Sequence, residues 1–202
     1  MIDLSNCVFV VDGLTEIRSF KAKFQKDYNC TPHFRKHPSG GGGRTTSARG
    51  YANAASVAIL FAMRQRYTRI ICVTDREGRS QEATSFAAEV RSAVIHLIES
   101  DTHYSHKELE EKLAVCVPDR MFENWIIADV EGIKQCEDLV KSSAKQTSFD
   151  GKNGTMVLKS IMKVPYKKTQ HGPALFKHVS FQRAVMNSPS FRFFAEEVGM
   201  RA

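Results

Sequence analysis

Residues 7–13 read CVFVVDG, five apolar positions closed by an acid and a glycine. Polar residues do not alternate with apolar ones, so both faces of this segment need cover, as in a strand inside a mostly parallel sheet. The pattern recurs at RIICVTD (69–75) and LAVCVP (113–118). Between these runs the period changes. Residues 14–28 place Ile17, Phe20 and Phe24 three and four apart, an amphipathic helix expected to turn Lys21, Lys23 and Lys26 to solvent. Residues 31–37 suit a second strand, 46–66 an alanine-rich helix with Val57, Leu60 and Phe61 inward, 81–100 a third helix and 121–128 a short one. Strands alternating with helices of these lengths predict right-handed βαβ units, hence an α/β fold with a parallel-rich sheet flanked by helices.

The chain has 202 residues, room for one such domain and a small appendage. Hydrophobic residues at 42% and charged ones at 25% exclude a wholly disordered or fibrous chain. The longest apolar stretch, residues 52–63, contains Asn53 and Ser56 and is too short to span a bilayer. Met1-Ile2-Asp3 leads directly to the first strand, so no leader is expected. Five scattered cysteines without a C-x-x-C pair suit reduced core thiols and a cytoplasmic location.

The net charge of +7 is unevenly spread. Residues 1–133 hold 17 basic and 17 acidic side chains, whereas 134–202 hold 12 and 5. The division is therefore an α/β domain over 1–133 and a basic, mostly helical extension over 134–202 packed on it. Helical pieces are expected near 155–162, 173–186 and 189–198, with Phe191, Phe193 and Phe194 in the core. A basic face favours polyanions, of which nucleic acid is the commonest.

Two strands end in paired carboxylates: Asp12 with Glu16 one helical turn on, and Asp75 with Glu77, where Gly78 lets the loop turn sharply. In open parallel sheets ligands bind outside the carboxyl ends of the strands. If the two strands are neighbours, four carboxylates meet there and repel one another unless a cation intervenes, and oxygen-only donors select Mg²⁺ or Mn²⁺. The alternative is a set of helix caps and turn acids. Glu123, after the third buried run, reaches the same rim; Trp125 is expected to pack against the sheet and Asp129 to cap the next helix.

VDGLTE, VTDREG, PDRMFENWIIAD, YKKTQHGPALFKHV and SPSFRFF together resemble, over residues 7–198, a bacterial Toprim-like family, domain-of-unknown-function family four-two-seven-six. The resemblance implies a Toprim-like fold related to overcoming-lysogenization-defect nucleases, and a place beside ATPase genes in phage-defence loci. It further implies that Asp12, Glu16, Asp75 and Glu77 hold one or two Mg²⁺ or Mn²⁺ ions, with Glu123 a further ligand or base. The implied chemistry is phosphodiester hydrolysis of DNA or RNA, with a separate AAA or ABC-type ATPase as partner. The family pattern has Glu at the position of Asp12 and Asp at that of Glu77, each a change of reach by one methylene, roughly 1.5 Å. Those departures motivate the rival expectation, a non-catalytic Toprim-like module that binds an ATPase or nucleic acid.

Arg44, Arg76, Arg79, Lys167, Lys168, His171 and Lys177 are the candidate phosphate contacts, with His178 beside them. The glycine run in 38–44 reads as a linker, since no nucleotide-binding glycine motif surrounds it. His103 and His106 have zinc spacing but fall in a polar loop without cysteine or acid partners, so zinc is not expected.

Overall fold

A computed structural model describes residues 3–37, 47–149 and 151–200. Among them, β1 (Cys7–Val11), β2 (His33–Lys36), β3 (Arg69–Val73) and β4 (Leu113–Cys116) form one all-parallel sheet in the order β2-β1-β3-β4. The continuous apolar runs behave as their composition requires. Cys7, Phe9 and Val11 point into one core with Ile71 and Val73, while Val8 and Val10 point into another with Ile70 and Cys72. The second core is closed by α2 (Ala48–Arg64), α3 (Ala83–Asp101) and α4 (His106–Lys112). The first is closed by α1 (Leu14–Tyr28), α5 (Phe122–Ile127), α6 (Val130–Ile133), α7 (Gly154–Ile161), α8 (Lys168–Phe176), α9 (Phe181–Asn187) and α10 (Pro189–Glu197). This is an α/β architecture consistent with a Toprim-like fold.

Topology fixes where a site can form. The chain leaves β1 for β2 through α1 on one face and reaches β3 through α2 on the other. The crossover direction therefore reverses between β1 and β3, which creates a crevice at their carboxyl ends. Val11 pairs with Val73 in register, so the residues after them, Asp12 and Thr74, stand side by side at its mouth.

The C-terminal third does not build a core of its own. Phe20 of α1 meets the rings of Phe9, Phe122, Phe176 and Phe194 at centroid distances of 5.2–5.5 Å, joining β1, α5, α8 and α10. Trp125 stacks on Phe194 at 4.7 Å and donates its indole N–H to Ser190 Oγ at 3.0 Å. Phe191 and Phe194 are fully buried and Phe193 partly so. Asp129 caps α6 through Gly132 N (3.0 Å), and it also accepts from Ser180 N (2.7 Å) and the Arg183 guanidinium (2.7 and 2.9 Å).

Four local expectations are corrected. Val57 and Phe61 of α2 face solvent, and the buried face is Tyr51, Ala52, Ala55, Ile59, Ala62 and Met63. Small residues win there because α2 packs against α3, and Phe61 lies instead beneath the Arg35 guanidinium at 4.1 Å. Lys23 is buried, its ammonium held by the Val179 carbonyl and by Asp27 at 2.6 Å. His106 opens α4 rather than lying in a loop, capped by Ser105, and it pairs with Glu99 (3.1 Å) and Glu110 (3.6 Å). Residues 173–186 are not one helix. α8 starts before Pro173, and Ser180 begins α9 by accepting from Arg183 N. All five cysteines are free, and no helix among the described residues is long and apolar enough to cross a membrane.

Candidate functional site

Asp12 leaves β1 at the crevice. Its Oδ2 accepts from Thr74 Oγ1 at 3.1 Å and from Asp75 N at 3.4 Å, so the first acid is fixed by the end of the neighbouring strand. Its Oδ1 bonds His37 Nε2. His37 follows β2 and is fully buried, its ring edge-on to Tyr51 at 4.7 Å, and its Nδ1 has no hydrogen-bond partner among the described residues. Asp75 in turn accepts the Phe122 amide at 2.8 Å on Oδ1, which ties β3 to the start of α5.

Glu16 and Glu123 are 4% and 0% exposed, burial that a carboxylate tolerates only beside a cation or strong donors. Lys168 Nζ supplies the cation, 3.5 Å from Glu123 Oε2, 3.8 Å from Glu16 Oε1 and 3.9 Å from Asp75 Oδ2. Tyr166 donates its hydroxyl to Glu123 Oε1 at 3.2 Å, while the buried Glu123 Oε2 has no hydrogen-bond donor closer than Lys168 among the described residues. Two glycines permit this closeness. A Cβ on Gly13 would stand 2.9 Å from Glu16 Oε2, and one on Gly172 would stand 2.9 Å from Thr15 Cγ2, where α8 lies against α1.

The electrostatics follow from this crowding. Burial pushes the Asp75 carboxyl well above the usual range; Lys168 opposes the rise, and Asp12, Glu16 and Glu123 add to it. Glu16 is raised by burial in the same way, against the pull of Lys168. Burial works to lower Lys168, but Asp75, Glu123 and Glu16 outweigh it and hold the ammonium above the usual lysine value. Tyr166 is raised by burial and by Glu123, so it stays a donor.

Asp12, Glu16, Asp75 and Glu123 thus come together. Glu77 does not join them. It sits in a left-handed turn (φ 59°), the conformation expected of Gly78, donates its amide to Arg120 O at 2.6 Å, and its charge acts on Arg79. Arg76 is buried and committed to Asp119 at 2.7 Å and to the Gln81 carbonyl at 2.9 Å. Arg79 lies over the Phe86 ring at 4.0 Å and donates to the Arg76 carbonyl at 2.6 Å. His171 is buried, its Nδ1 accepting the Lys167 amide at 3.0 Å across the first turn of α8. Lys167 and Lys177 are exposed, and the Lys177 carbonyl accepts from Lys26 Nζ at 3.3 Å. Lys168 is an acid-cluster residue rather than a free phosphate contact, while Arg44 and the glycine run lie outside the described residues. Lys168 was legible only as a basic residue, and His37 and Tyr166 carried no signal for this site, since their roles come from contacts across 25 to 43 residues.

Among the described residues no group of three or more His, Cys, Asp or Glu side chains is spaced so that it could hold a metal ion as it stands. By type the donors suit a hard cation: all are carboxylate oxygens, and Glu123 Oε2 is buried with the Lys168 ammonium at 3.5 Å and no hydrogen-bond donor closer among the described residues.

No curated protein matches the chain. No solved structure does either. The family described as Domain of unknown function (DUF4276) matches residues 21–199, a span that holds Asp75, Glu123, Tyr166 and Lys168 and begins after Asp12 and Glu16. With that match over most of its length, the chain belongs to the DUF4276 family.

Proposed function

We propose that this protein is a metal-dependent phosphodiesterase acting on DNA or RNA, with Asp12, Glu16, Asp75 and Glu123 as the ion-holding set. The supporting observation is the convergence of these four carboxylates, from β1, β3 and the starts of α1 and α5, on one crevice at the switch point of a parallel sheet. Mg²⁺ or Mn²⁺ held there would supply Lewis-acid polarisation of the attacking water and of a phosphoryl oxygen. The chain's own groups do the rest. Thr74 and the Asp75 amide fix Asp12, the Phe122 amide fixes Asp75, and Tyr166 orients Glu123. The basic surplus of the C-terminal third favours a polyanionic substrate, and Lys167 and Lys177 are exposed to meet one. We place the activity in antiphage defence under a separate AAA or ABC-type ATPase.

Incubation with supercoiled plasmid, linear duplex DNA and tRNA is expected to give cleavage of at least one polymer with Mn²⁺ or Mg²⁺ and none with EDTA. A second reading, a catalytically inactive module that binds an ATPase or nucleic acid, is favoured by Lys168 standing among the carboxylates. Intact polymers under saturating Mn²⁺, with a stable ATPase complex on co-purification, would select it.

A further inference from the structure

We infer that Lys168 is an intramolecular counter-ion of the acidic crevice, and that a divalent cation binds by displacing its ammonium. The inference rests on the metal-ion reading above and goes beyond it by assigning the site a closed state.

Lys168 is the first residue of α8, the end where the helix dipole disfavours a positive side chain, and the first turn of α8 holds no acid. Helix stability therefore gives no reason for a lysine there; the three carboxylates do. The side chain reaches them from outside. It is 44% exposed, whereas Glu16 and Glu123 side chains are 6% and 0% exposed. A chain entering from solvent can leave without opening the core, and Asp12, Asp75 and Glu123 keep their hydrogen bonds to Thr74, the Phe122 amide and Tyr166 without it.

The carboxylates gain from the exchange. At 3.5–3.9 Å the ammonium forms loose ion pairs, and Glu123 Oε2, fully buried, has no hydrogen-bond donor closer than that ammonium among the described residues. Mg²⁺ takes oxygen ligands at roughly 2.0–2.1 Å and carries twice the charge. One cation excludes the other because both need the same oxygens, so the crevice alternates between a lysine-closed and an ion-loaded state. Substrate phosphate, an anion, would then meet an ammonium freshly released at the rim.

The experiment measures Mn²⁺ binding by titration calorimetry to the wild-type chain and to Lys168→Met, which keeps the stem and removes the charge. The same preparations carry a second readout, acetylation of Lys168 in the wild type followed by peptide mass spectrometry with and without Mn²⁺. The expected result is binding about tenfold tighter, or more, in the variant, since one charge at this range outweighs most surface effects. Acetylation of Lys168 is expected to rise when Mn²⁺ is present. Equal or weaker binding by the variant, with Lys168 labelling unchanged by Mn²⁺, overturns the inference and leaves the metal site standing. No Mn²⁺ binding by either protein overturns both.

Discussion

Asparagine in place of Asp75 is expected to abolish ion-dependent cleavage and, in the same molecule, to raise the thermal stability of the metal-free protein. Altering a residue that merely orients a metal ligand usually costs 10–100-fold, so losing a carboxylate ligand should cost at least about a hundredfold. Asparagine keeps an Oδ1 for the Phe122 amide, so the turn into α5 survives. The stability gain follows from proton linkage. Burial raises the folded-state pKa of Asp75 above its unfolded value of 3.8, so the folded protein binds the extra proton. Its contribution is complete below that unfolded value and is lost as pH climbs through the folded one. Metal-free wild type should therefore weaken as pH rises, and the variant should weaken less. At about pH 8 in EDTA the variant should melt a few degrees higher, with the gap closing towards about pH 4, where the wild-type carboxyl is protonated. Saturating Mn²⁺ should reverse the order, because it binds only the wild type tightly. Scanning calorimetry across pH checks this. A variant less stable than wild type at every pH would mean that the crevice acids are structural partners rather than a strained site.

Alanine in place of Phe20 should produce the largest loss of stability. Phe20 is fully buried, and its ring neighbours come from β1, α1, α5, α8 and α10. Deleting a buried phenyl ring costs about 3–5 kcal/mol in lost transfer energy and residual cavity. A domain stable by roughly 5–15 kcal/mol feels that as a fall of about 6–20 °C in melting temperature. Val57→Ala, at a position 74% exposed, serves as the control and should stay within about 0.5 kcal/mol. Urea unfolding of the two variants measures the contrast. A Phe20→Ala midpoint close to that of Val57→Ala would show that the C-terminal helices are not part of one core with the sheet.

What the sequence disclosed follows the range of the interactions involved. β1 and α1 were legible because their signals are local: a five-residue apolar run, then Phe20 and Phe24 at helical spacing. The rim acids were legible for the same reason, as each follows a buried strand. α2 was misjudged at Val57 and Phe61 because size suggested burial, while close packing on α3 selects Ala52, Ala55 and Ala62. α4 gave no apolar period. Only Leu109 is buried, and exposed pairs such as Lys107–Glu111 at 3.9 Å line its surface. Lys23 read as surface charge and Lys168 as a phosphate contact, yet one is held by a carbonyl 156 residues away and the other by acids from three separate parts of the chain. Arg76 read as a phosphate contact, and Asp119 takes it.

The central claim, that acids from β1 and β3 share one hard cation, is tested most directly by anomalous diffraction from crystals of this chain grown in millimolar Mn²⁺. The account predicts a single-site or paired peak bounded by Asp12, Glu16, Asp75 and Glu123, with the Lys168 side chain turned outward. A featureless anomalous map across that crevice, with the ammonium still seated between Glu123 and Asp75, would contradict it.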